Sequence, residues 1–433
     1  MGEKTRRIEI NVPTLARVEG EGALELTIEG NRIEALRLRI YEPPRYFEKF
    51  LEGREYHEVP DITARICGIC PVAYQMSAVQ ALERAFGVQT TPWIDAMRRL
   101  LYCGEWIQSH ALHVHLLALP DFLGFDDALT MGKEYPAELR RGLRLQGVGN
   151  AIIRLLGGRS VHPVGARVGG FYRAPAAAAA EELRSKVGTA IKDAAALVAW
   201  VARLEMPEVE QDFISVALRH ADEYSMYGGR VVSSDGLDCD VAEFEQHFRE
   251  EQVPHSTALH GYYHDQPYLV GPLARLNLNI DRLPDASREL LDRTGIAFPS
   301  RNVYHSMLAR ALEIHVALVE ALRLLSEYRP TDSPWIAHES CAGVGYGASE
   351  APRGLLWHRY DCDADGLIRH ARIVPPTSQN QARIEQDIAN TLTALGLQQP
   401  AETLRLEAER VIRNYDPCIS CAVHFLKLDL QRR

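Results

Sequence analysis

The first forty residues alternate apolar and polar positions, which is the pattern of half-buried β-strands. Ile8, Ile10 and Val12 form the first alternating run, and a second run follows it. Residues 29–31 read Glu-Gly-Asn, a turn signal, and a third alternating run comes after them. The sequence therefore predicts paired strands over residues 6–40.

From about residue 72 the apolar positions recur with the 3.6-residue period of a helix. Thr91 and Pro92 form a good start signal, because Thr caps a helix and Pro suits its first turn. Pro120 is expected to end that helix, because proline cannot donate a helical hydrogen bond. Further helices are predicted over residues 137–156, 176–204, 301–328, 380–394 and 400–414.

Two stretches, residues 205–300 and 330–377, lack long periodic runs and are rich in Pro, Gly and Asp. The first is expected to be an irregular lobe, and the second to hold a strand pair near residues 356–358 and 367–374. The predicted fold class is mainly α with small β elements (α+β), with a core of long bundled helices and β-hairpins at its periphery.

The chain shows no repeat, no linker and no break in composition, which predicts a single domain over residues 1–433. Its expected parts are an N-terminal β region at 1–45, a helical core at 46–204 and 300–424, a mixed irregular lobe at 205–299 and a short tail at 425–433.

Composition favours a soluble globular protein. The 433 residues are 46% hydrophobic and 24% charged, with a net charge of −10 spread without long runs of one sign. This charge favours neither nucleic acid nor a membrane surface as a partner. No run of about 18 apolar residues occurs, and the charged N-terminus does not look like a secretion signal. A cytoplasmic location is expected.

Two Cys-x-x-Cys pairs are the strongest chemical signal. Cys67 and Cys70 lie near the start of the chain, and Cys418 and Cys421 lie near its end. Reduced cysteines in a cytosolic protein at this spacing indicate a metal or redox function, and four thiolates together would bind a soft metal. The remaining cysteines are expected to be inert, small hydrophobic residues: Cys103, Cys239, Cys341 and Cys362.

The spacing alone leaves two kinds of site open. One is a structural zinc site with four cysteine ligands. The other is a redox-active metal centre, which the large predicted core and the polar neighbours Asp416 and His424 favour. Arg65 precedes the first pair and is expected to be a buried cation that lowers the pKa of nearby thiols.

The sequence around the two cysteine pairs resembles that of the large (catalytic) subunit of [NiFe]-hydrogenases. The resemblance is strongest to the cytosolic bidirectional NAD(P)-linked hydrogenases and sulfhydrogenases. Six segments in the family's order are far more specific than one motif. They are residues 15–20 (LARVEG), 65–71 (RICGICP), 157–163 (GGRSVHP), 350–354 (EAPRG), 374–377 (VPPT) and 416–424 (DPCISCAVH).

The resemblance implies a nickel–iron centre with a defined ligand set. Cys67 and Cys418 would be terminal nickel ligands, whereas Cys70 and Cys421 would bridge nickel to an iron that carries CO and two cyanides. The implied activity is the reversible heterolytic cleavage of H2 to protons and electrons. No iron–sulfur cluster and no NAD(P) site are expected in this chain.

Two catalytic residues are carried over from the family. Glu19 would relay protons near the sulfur of Cys418, and Arg353 would lie above the metals as a permanent positive charge. From the residues alone, Glu19 could equally be a surface acid in a turn and Arg353 part of a surface ion pair. The resemblance also implies which residues line the active-site pocket: Ala351, Pro352, Val374, Pro375, Thr377, Asp416 and Ser109.

The resemblance also implies a magnesium site. Its ligands would be Glu48, His424 and a backbone carbonyl at Arg372, although Glu48 could also lie on the solvated face of a short helix. A maturation endopeptidase would cut after His424 and release residues 425–433.

The chain departs from its relatives at three places. Ser109-His110 stands where many carry an acid–histidine pair, and Tyr74 stands where others carry histidine. Pro376 replaces a Ser or Thr that would donate to cyanide, and Thr377 could substitute for it. These changes would alter catalytic bias or the response to oxygen and would leave the metal centre in place.

Electrons must leave a buried centre, so an iron–sulfur small subunit is the expected partner. Its interface should include the first cysteine pair and the loop at His162. Flavin- and NAD(P)-binding diaphorase and ferredoxin-like subunits are expected further along. The alternatives are an F420-reducing or membrane-linked hydrogenase large subunit and, from another class, a non-enzymatic scaffold stapled by zinc.

Overall fold

The computed structural model describes residues 6–423. Its strands are β1 Arg7–Val12, β2 Gly22–Glu29, β3 Arg32–Ile40, β4 Ala166–Arg167, β5 Gly170–Phe171, β6 Ile214–Arg219, β7 Arg230–Ser233, β8 Asp238–Cys239, β9 Phe248–Gln252, β10 Leu259–Tyr263, β11 Tyr268–Leu269, β12 Gly343–Ala351, β13 Gly354–Cys362 and β14 Ile368–Val374.

Five of the α-helices described have twenty residues or more, and four of these build the main core. The α-helices are α1 Phe47–Leu51, α2 Val59–Thr63, α3 Pro71–Phe86, α4 Pro92–Leu112, α5 Leu119–Leu123, α6 Ala128–Glu134, α7 Pro136–Gly157, α8 Ala177–Val201, α9 Phe244–His247, α10 Pro272–Asn279, α11 Asp285–Asp292, α12 Ser306–Glu327, α13 Pro376–Leu395, α14 Ala401–Asn414 and α15 Ile419–Ala422.

The main core lies between α4, α7, α8 and α12, which pack on one another through continuous apolar faces. Leu100, Ile152, Leu197 and Leu312 are among the fully buried side chains of this cluster. Burial of such side chains is the main favourable term in folding. The prediction of a mainly helical α+β fold is confirmed.

The predicted N-terminal strands are present as an antiparallel sheet in the order β1-β2-β3. Ile8, Ile10 and Val12 face inward, while the residues between them are exposed. The alternation in the sequence thus reports the two faces of the sheet. Residues 205–299 hold a sheet in the order β11-β6-β7-β8 and the hairpin β9–β10. The single-domain organisation stays a prediction.

The prediction that Pro120 ends the long helix is wrong. After α4 the chain winds through a π-helical segment, His113–Ala118, directly into α5. Pro120 lies in the first turn of α5, where its missing N–H is not needed. The helical run ends instead at Gly124, which adopts φ +75°.

A third strand joins the strand pair predicted between residues 330 and 377. The antiparallel sheet β12-β13-β14 packs on α3, and its first strand is the glycine-rich segment. A Cβ built on Gly345 would lie 1.8 Å from the carbonyl oxygen of Ala81, and one on Gly347 would lie 2.1 Å from that of Ser77. The missing side chains let the strand lie directly on the helix that follows Cys70.

Gly345→Ala is expected to destabilise the protein by about 1–3 kcal/mol, because a methyl group has no room between β12 and α3. Gly147→Ala is the matched control. Gly147 lies in α7, and apart from its chain neighbours and the backbone of its own helix no atom of residues 6–423 is within 4 Å of a Cβ built there, so alanine should raise stability by up to about 1 kcal/mol. Thermal unfolding midpoints should therefore move in opposite directions, and shifts of the same sign would contradict the packing described.

No helix within residues 6–423 combines the length and the apolar character that a membrane crossing requires.

Candidate metal centre

Four buried sulfur atoms from the two ends of the chain meet in the interior. The sulfur atoms of Cys67, Cys70, Cys418 and Cys421 lie within 4.8 Å of one another. Sγ of Cys67 is 3.5 Å from Sγ of Cys418, and Sγ of Cys70 is 3.8 Å from Sγ of Cys421. Each cysteine is at most 3% exposed. Four soft donors at this spacing can hold a small metal centre.

The first cysteine pair lies at the start of α3. Cys70 is the N-cap of this helix, and Pro71 occupies its first turn. Sγ of Cys67 accepts hydrogen bonds from the backbone N–H of Ile69 at 3.3 Å and of Cys70 at 3.1 Å. The side-chain oxygens of the buried Glu105 accept hydrogen bonds from the N–H groups of residues 72 and 73, at 2.6 and 3.1 Å. Glu105 thus satisfies two backbone N–H groups in the first turn of α3.

The second pair follows a strained turn. Asp416 adopts φ 55°, a left-handed conformation that its hydrogen bonds with Arg353 help to hold. Cys418 is then the N-cap of the short helix α15. This turn directs the chain back toward the first pair, as the left-handed residue ends the path of α14.

Arg45 links the two cysteine loops. Its Nη2 donates to the backbone oxygen of Ile66 at 2.7 Å and also to that of Ser420. Its own backbone N–H donates to the oxygen of Val423 at 2.8 Å. Arg45 is not predicted from the sequence, because an arginine after a Pro-Pro segment carries no local signal of a long-range contact.

The prediction that Arg65 is a buried cation near the thiols is wrong, because Arg65 is exposed. Arg353 is the buried cation at this place. Arg353 is 3% exposed. Burial raises the pKa of the Cys67 thiol, but hydrogen bonds with the other three thiols and the charge of Arg353 outweigh it, so this pKa lies well below its usual range. A thiolate, the metal-binding form, is favoured there.

Asp416 orients Arg353. Nε of Arg353 donates to the backbone oxygen of Asp416 at 2.6 Å, and Nη2 donates to its Oδ1 at 3.0 Å. Nη1 is buried and has no hydrogen-bond partner within the described part of the chain. Burial alone would lower the pKa of Arg353. The charges of Asp416 and of the cysteine thiolates outweigh burial and raise this pKa well above its usual value, so the guanidinium stays charged.

Glu19 contacts the second pair directly. Its Oε2 is 3.1 Å from Sγ of Cys418 and 3.1 Å from the backbone N of Ser420. Its backbone oxygen accepts from the N–H of Ile419 at 2.9 Å. Gly20 makes this approach possible, because a Cβ there would lie 2.6 Å from that of Ile419. Glu19 is partly exposed, so its side chain lies between solvent and a buried sulfur.

A buried ion network supports the turn that carries Arg353. Arg275 donates to the backbone oxygens of Ala351 at 2.6 Å and Pro352 at 3.1 Å, and it pairs with Glu313 at 2.8 Å and Glu350 at 2.9 Å. Fully buried charges are tolerated when they are paired in this way. No local pattern predicts the role of Arg275, because its partners come from distant segments.

The other predicted lining residues are all buried, in different surroundings. Oγ1 of Thr377 accepts from the backbone N–H of Cys418 at 3.1 Å. Val374 belongs to an apolar cluster with Trp357. Pro375 precedes α13 as its N-cap. Ser109 lies in α4 and its hydroxyl has no partner within residues 6–423.

The positions that differ from the family pattern are also buried. Gln108, the neighbour of Ser109, donates to the backbone oxygen of Ile69 at 2.5 Å and so reaches the first cysteine loop. Burial and the charges of Cys421 and Cys70 raise the pKa of Tyr74 well above its usual value, so its phenol stays neutral beside the sulfurs.

Two parts of the predicted magnesium site lie together. Oε1 of Glu48 accepts from the backbone N–H of Ile373 at 2.7 Å, next to Arg372 on β14. The guanidinium of Arg372 pairs with Glu245 at 2.5 Å and has no acceptor atom, so only the backbone carbonyl of this residue can bind a cation. His424 and the predicted cleavage after it lie outside the described residues.

Four converging cysteine sulfurs, a buried arginine and a carboxylate beside one sulfur favour a redox-active metal centre over a structural zinc site, and comparisons with known proteins agree. The sequence profile of the family described as nickel-dependent hydrogenase matches residues 45–143 and 242–424. The chain is 33% identical to sulfhydrogenase 1 subunit alpha of Pyrococcus furiosus, over 98% of this chain and 100% of that protein.

Two further likenesses cover nearly the whole chain. The NAD-reducing hydrogenase HoxS subunit beta of Cupriavidus necator is 28% identical, over 96% of this chain and 94% of that protein. A crystal structure of an NAD+-reducing [NiFe]-hydrogenase in the H2-reduced state superposes with a TM-score of 0.88 at 29% identity, covering 98% of this chain and 100% of that chain.

The chain belongs to the nickel-dependent hydrogenase family. It is a [NiFe]-hydrogenase large subunit and an oxidoreductase that acts on H2. The predictions of family, fold class and activity are thereby confirmed, and the catalytic reading is favoured over the zinc-stapled scaffold.

Proposed function

We propose that this chain is the catalytic subunit of a soluble, cytoplasmic hydrogenase that passes electrons from H2 through an iron–sulfur subunit to NAD(P). The four-sulfur cluster carries the hydrogenase part of the proposal. The NAD(P) part rests on the likeness to an NAD-reducing subunit and to an NAD+-reducing structure over nearly the full length of the chain.

The residues present fit a nickel–iron centre. The thiolates of Cys67, Cys70, Cys418 and Cys421 would hold the two metals, with Cys70 and Cys421 shared between them. The unpartnered Nη1 of Arg353 is a buried donor that suits cyanide ligands, which accept hydrogen bonds. When bound, such a centre supplies the two-electron chemistry that splits H2. Glu48, the backbone at Arg372 and His424 would hold magnesium.

The protein groups handle the proton and the charge. The carboxylate of Glu19 lies 3.1 Å from Sγ of Cys418, within reach to accept a proton from that sulfur. Being partly exposed, it can release the proton toward solvent. Arg353 keeps its charge beside the thiolates, and its two bonds to Asp416 fix its orientation. Apolar side chains at Ala351 and Pro352 keep water out of the space beside it.

Arg353→Lys is expected to lower H2 oxidation by about 10²–10³-fold at unchanged nickel content, because lysine keeps the charge and loses the fixed array of donors. Arg359→Lys, in a half-buried ion pair with Asp361, is the matched control and should keep full turnover. Equal turnover in both variants would remove Arg353 from the catalytic machinery.

An exposed apolar face beside the first cysteine pair is proposed to bind the iron–sulfur subunit. Val161, Val164 and Tyr172 are 52%, 40% and 53% exposed, respectively. The guanidinium of Arg167 lies 4.2 Å from the ring of Trp335 and 5.0 Å from that of Tyr172. Aromatic and arginine side chains are enriched at protein interfaces.

A hydrogen bond connects this face to the segment that precedes the first cysteine pair. Nδ1 of His162, in the same loop as Val161, is 2.7 Å from the backbone oxygen of Ala64, three positions before Cys67. A partner bound here would come close to the metal centre, as electron transfer requires.

Metal analysis with infrared spectroscopy on the purified complex tests the proposal. Nickel and iron near one each per chain, with CO and cyanide bands, are expected. One zinc and no such bands would indicate the scaffold instead. H2-dependent reduction of NAD+ or NADP+ tests the acceptor, and reduction of F420 alone would replace that part of the proposal.

A further inference from the structure

A second cluster of metal-ligating side chains lies apart from the cysteines. His255, His260 and Glu385 each offer one ligand atom, and these atoms lie within 4.8 Å of one another. His255 is in the loop that joins β9 to β10, His260 is on β10, and Glu385 is on α13. Nε2 of His255 is 2.9 Å from Oε1 of Glu385. One hairpin and one helix that is distant in the sequence thus meet at this cluster.

The backbone around the cluster fixes its geometry. Thr257, two residues after His255, donates its N–H to the oxygen of Ile40 at 2.8 Å. Gly261 lets β10 lie close on α13, since a Cβ there would be 2.7 Å from Cα of Gln379. The N–H of Leu38 donates to Oε1 of Glu385 at 2.8 Å, which holds the carboxylate in place.

The hydrogen bonds of the protein leave one member of the cluster unsatisfied. His260 is 1% exposed, and its Nε2 has no hydrogen-bond partner within residues 6–423. A buried polar atom without a partner costs about 1–3 kcal/mol.

We propose that His255, His260 and Glu385 bind a divalent transition metal of the zinc class, at a site separate from the cysteine centre. Two imidazoles and one carboxylate are donors that suit zinc, whereas magnesium prefers oxygen ligands. Three protein ligands leave a fourth position for water. His255 Nε2 and Glu385 Oε1 are hydrogen-bonded at 2.9 Å, and a tetrahedral zinc would replace that bond and hold the same two atoms about 3.3 Å apart.

Such an ion would cross-link parts of the fold that support the catalytic centre. Leu38 belongs to the N-terminal sheet, His260 to the lobe and Glu385 to α13. The first turn of α13 carries Thr377, which contacts the backbone of Cys418. The metal would therefore hold α13 against the β9–β10 hairpin, a structural role, while the N-terminal sheet is joined to Glu385 by the N–H of Leu38.

Cobalt(II) is the probe, because its visible spectrum reports the ligand type. The purified complex with its nickel–iron centre in place is titrated with Co2+. One saturable ion per large subunit is expected, with the absorption of a four-coordinate nitrogen and oxygen site and without a thiolate-to-cobalt band. Zn2+ should displace it. Bound metal should also raise the thermal unfolding midpoint.

His260→Gln and Glu385→Gln should each weaken cobalt binding by at least about 100-fold, since loss of even an outer partner costs 10–100-fold. H2 oxidation should be unchanged. His115→Gln is the matched control, because His115 is also buried with an unpartnered Nε2 but lies outside the cluster. It should bind cobalt normally. Glu385→Gln decides the matter if the His260 variant fails to fold.

Several results would overturn the proposal. They are no saturable binding, binding only at millimolar cobalt, a thiolate band in the bound spectrum, or equal affinity in wild type and in a folded cluster variant.

Discussion

Cys421→Ala is expected to abolish H2 oxidation and to leave the large subunit without its nickel. Sγ of Cys421 lies 2.8 Å from Sγ of Cys418 and 3.8 Å from Sγ of Cys70, so its removal takes one sulfur from a compact set of four. A direct ligand is worth at least as much as an outer partner, so metal affinity should fall by more than about 100-fold. Elemental analysis and infrared spectra of the purified variant measure this.

Cys103→Ala is the matched control for that variant. Cys103 and Cys421 are buried to nearly the same degree, at 0% and 2% exposure, and each variant removes one sulfur. Cys103 lies in α4, and burial raises its pKa, so it remains a thiol packed in the core. The control should keep nickel and turnover. A Cys421 variant with full nickel content would contradict the ligand set proposed for the centre.

Glu19→Gln should lower H2 oxidation by about 10²–10⁴-fold, the usual contribution of a positioned proton acceptor. Glutamine has nearly the same shape and can still accept the hydrogen bond from the backbone N–H of Ser420. It cannot take up a proton from Sγ of Cys418. Nickel content and the infrared bands should therefore be unchanged, which separates lost proton transfer from a lost centre. H2-dependent dye reduction gives the rate.

Glu21→Gln is the control in the same Glu-Gly-Glu-Gly segment. Glu21 is exposed, whereas Glu19 touches the second cysteine pair, so turnover in the Glu21 variant should stay within twofold of wild type. Equal rates in the two variants would mean that protons leave by another route.

Much of the fold follows from local patterns. The alternation of Ile8, Ile10 and Val12 predicts the first strand, and helical periodicity predicts the long core helices with ends within a few residues. The errors came where tertiary context overrides local preference. Gly345 weakens a strand by itself, yet β12 needs it because α3 lies against it. Pro120 is a helix breaker that begins a new helical segment after a π-helical turn.

The candidate site divides in the same way. Cysteines in short motifs are visible in the sequence, as are Glu19 and Arg353 once the family pattern is recognised. Arg45, Arg275 and Glu105 were missed because their contacts form only in the folded chain. His255 and Glu385 contact across 130 positions, which no local pattern reveals.

The union of two cysteine pairs has a consequence for synthesis of the chain. The partners Cys67 and Cys418 lie 351 positions apart. At roughly 5–20 residues per second, a ribosome needs about 20–70 s between them, so the early thiols wait that long for their counterparts. Until then they are open to oxidation and to stray metals. A cell making this protein gains from a chaperone that shields the nascent pair.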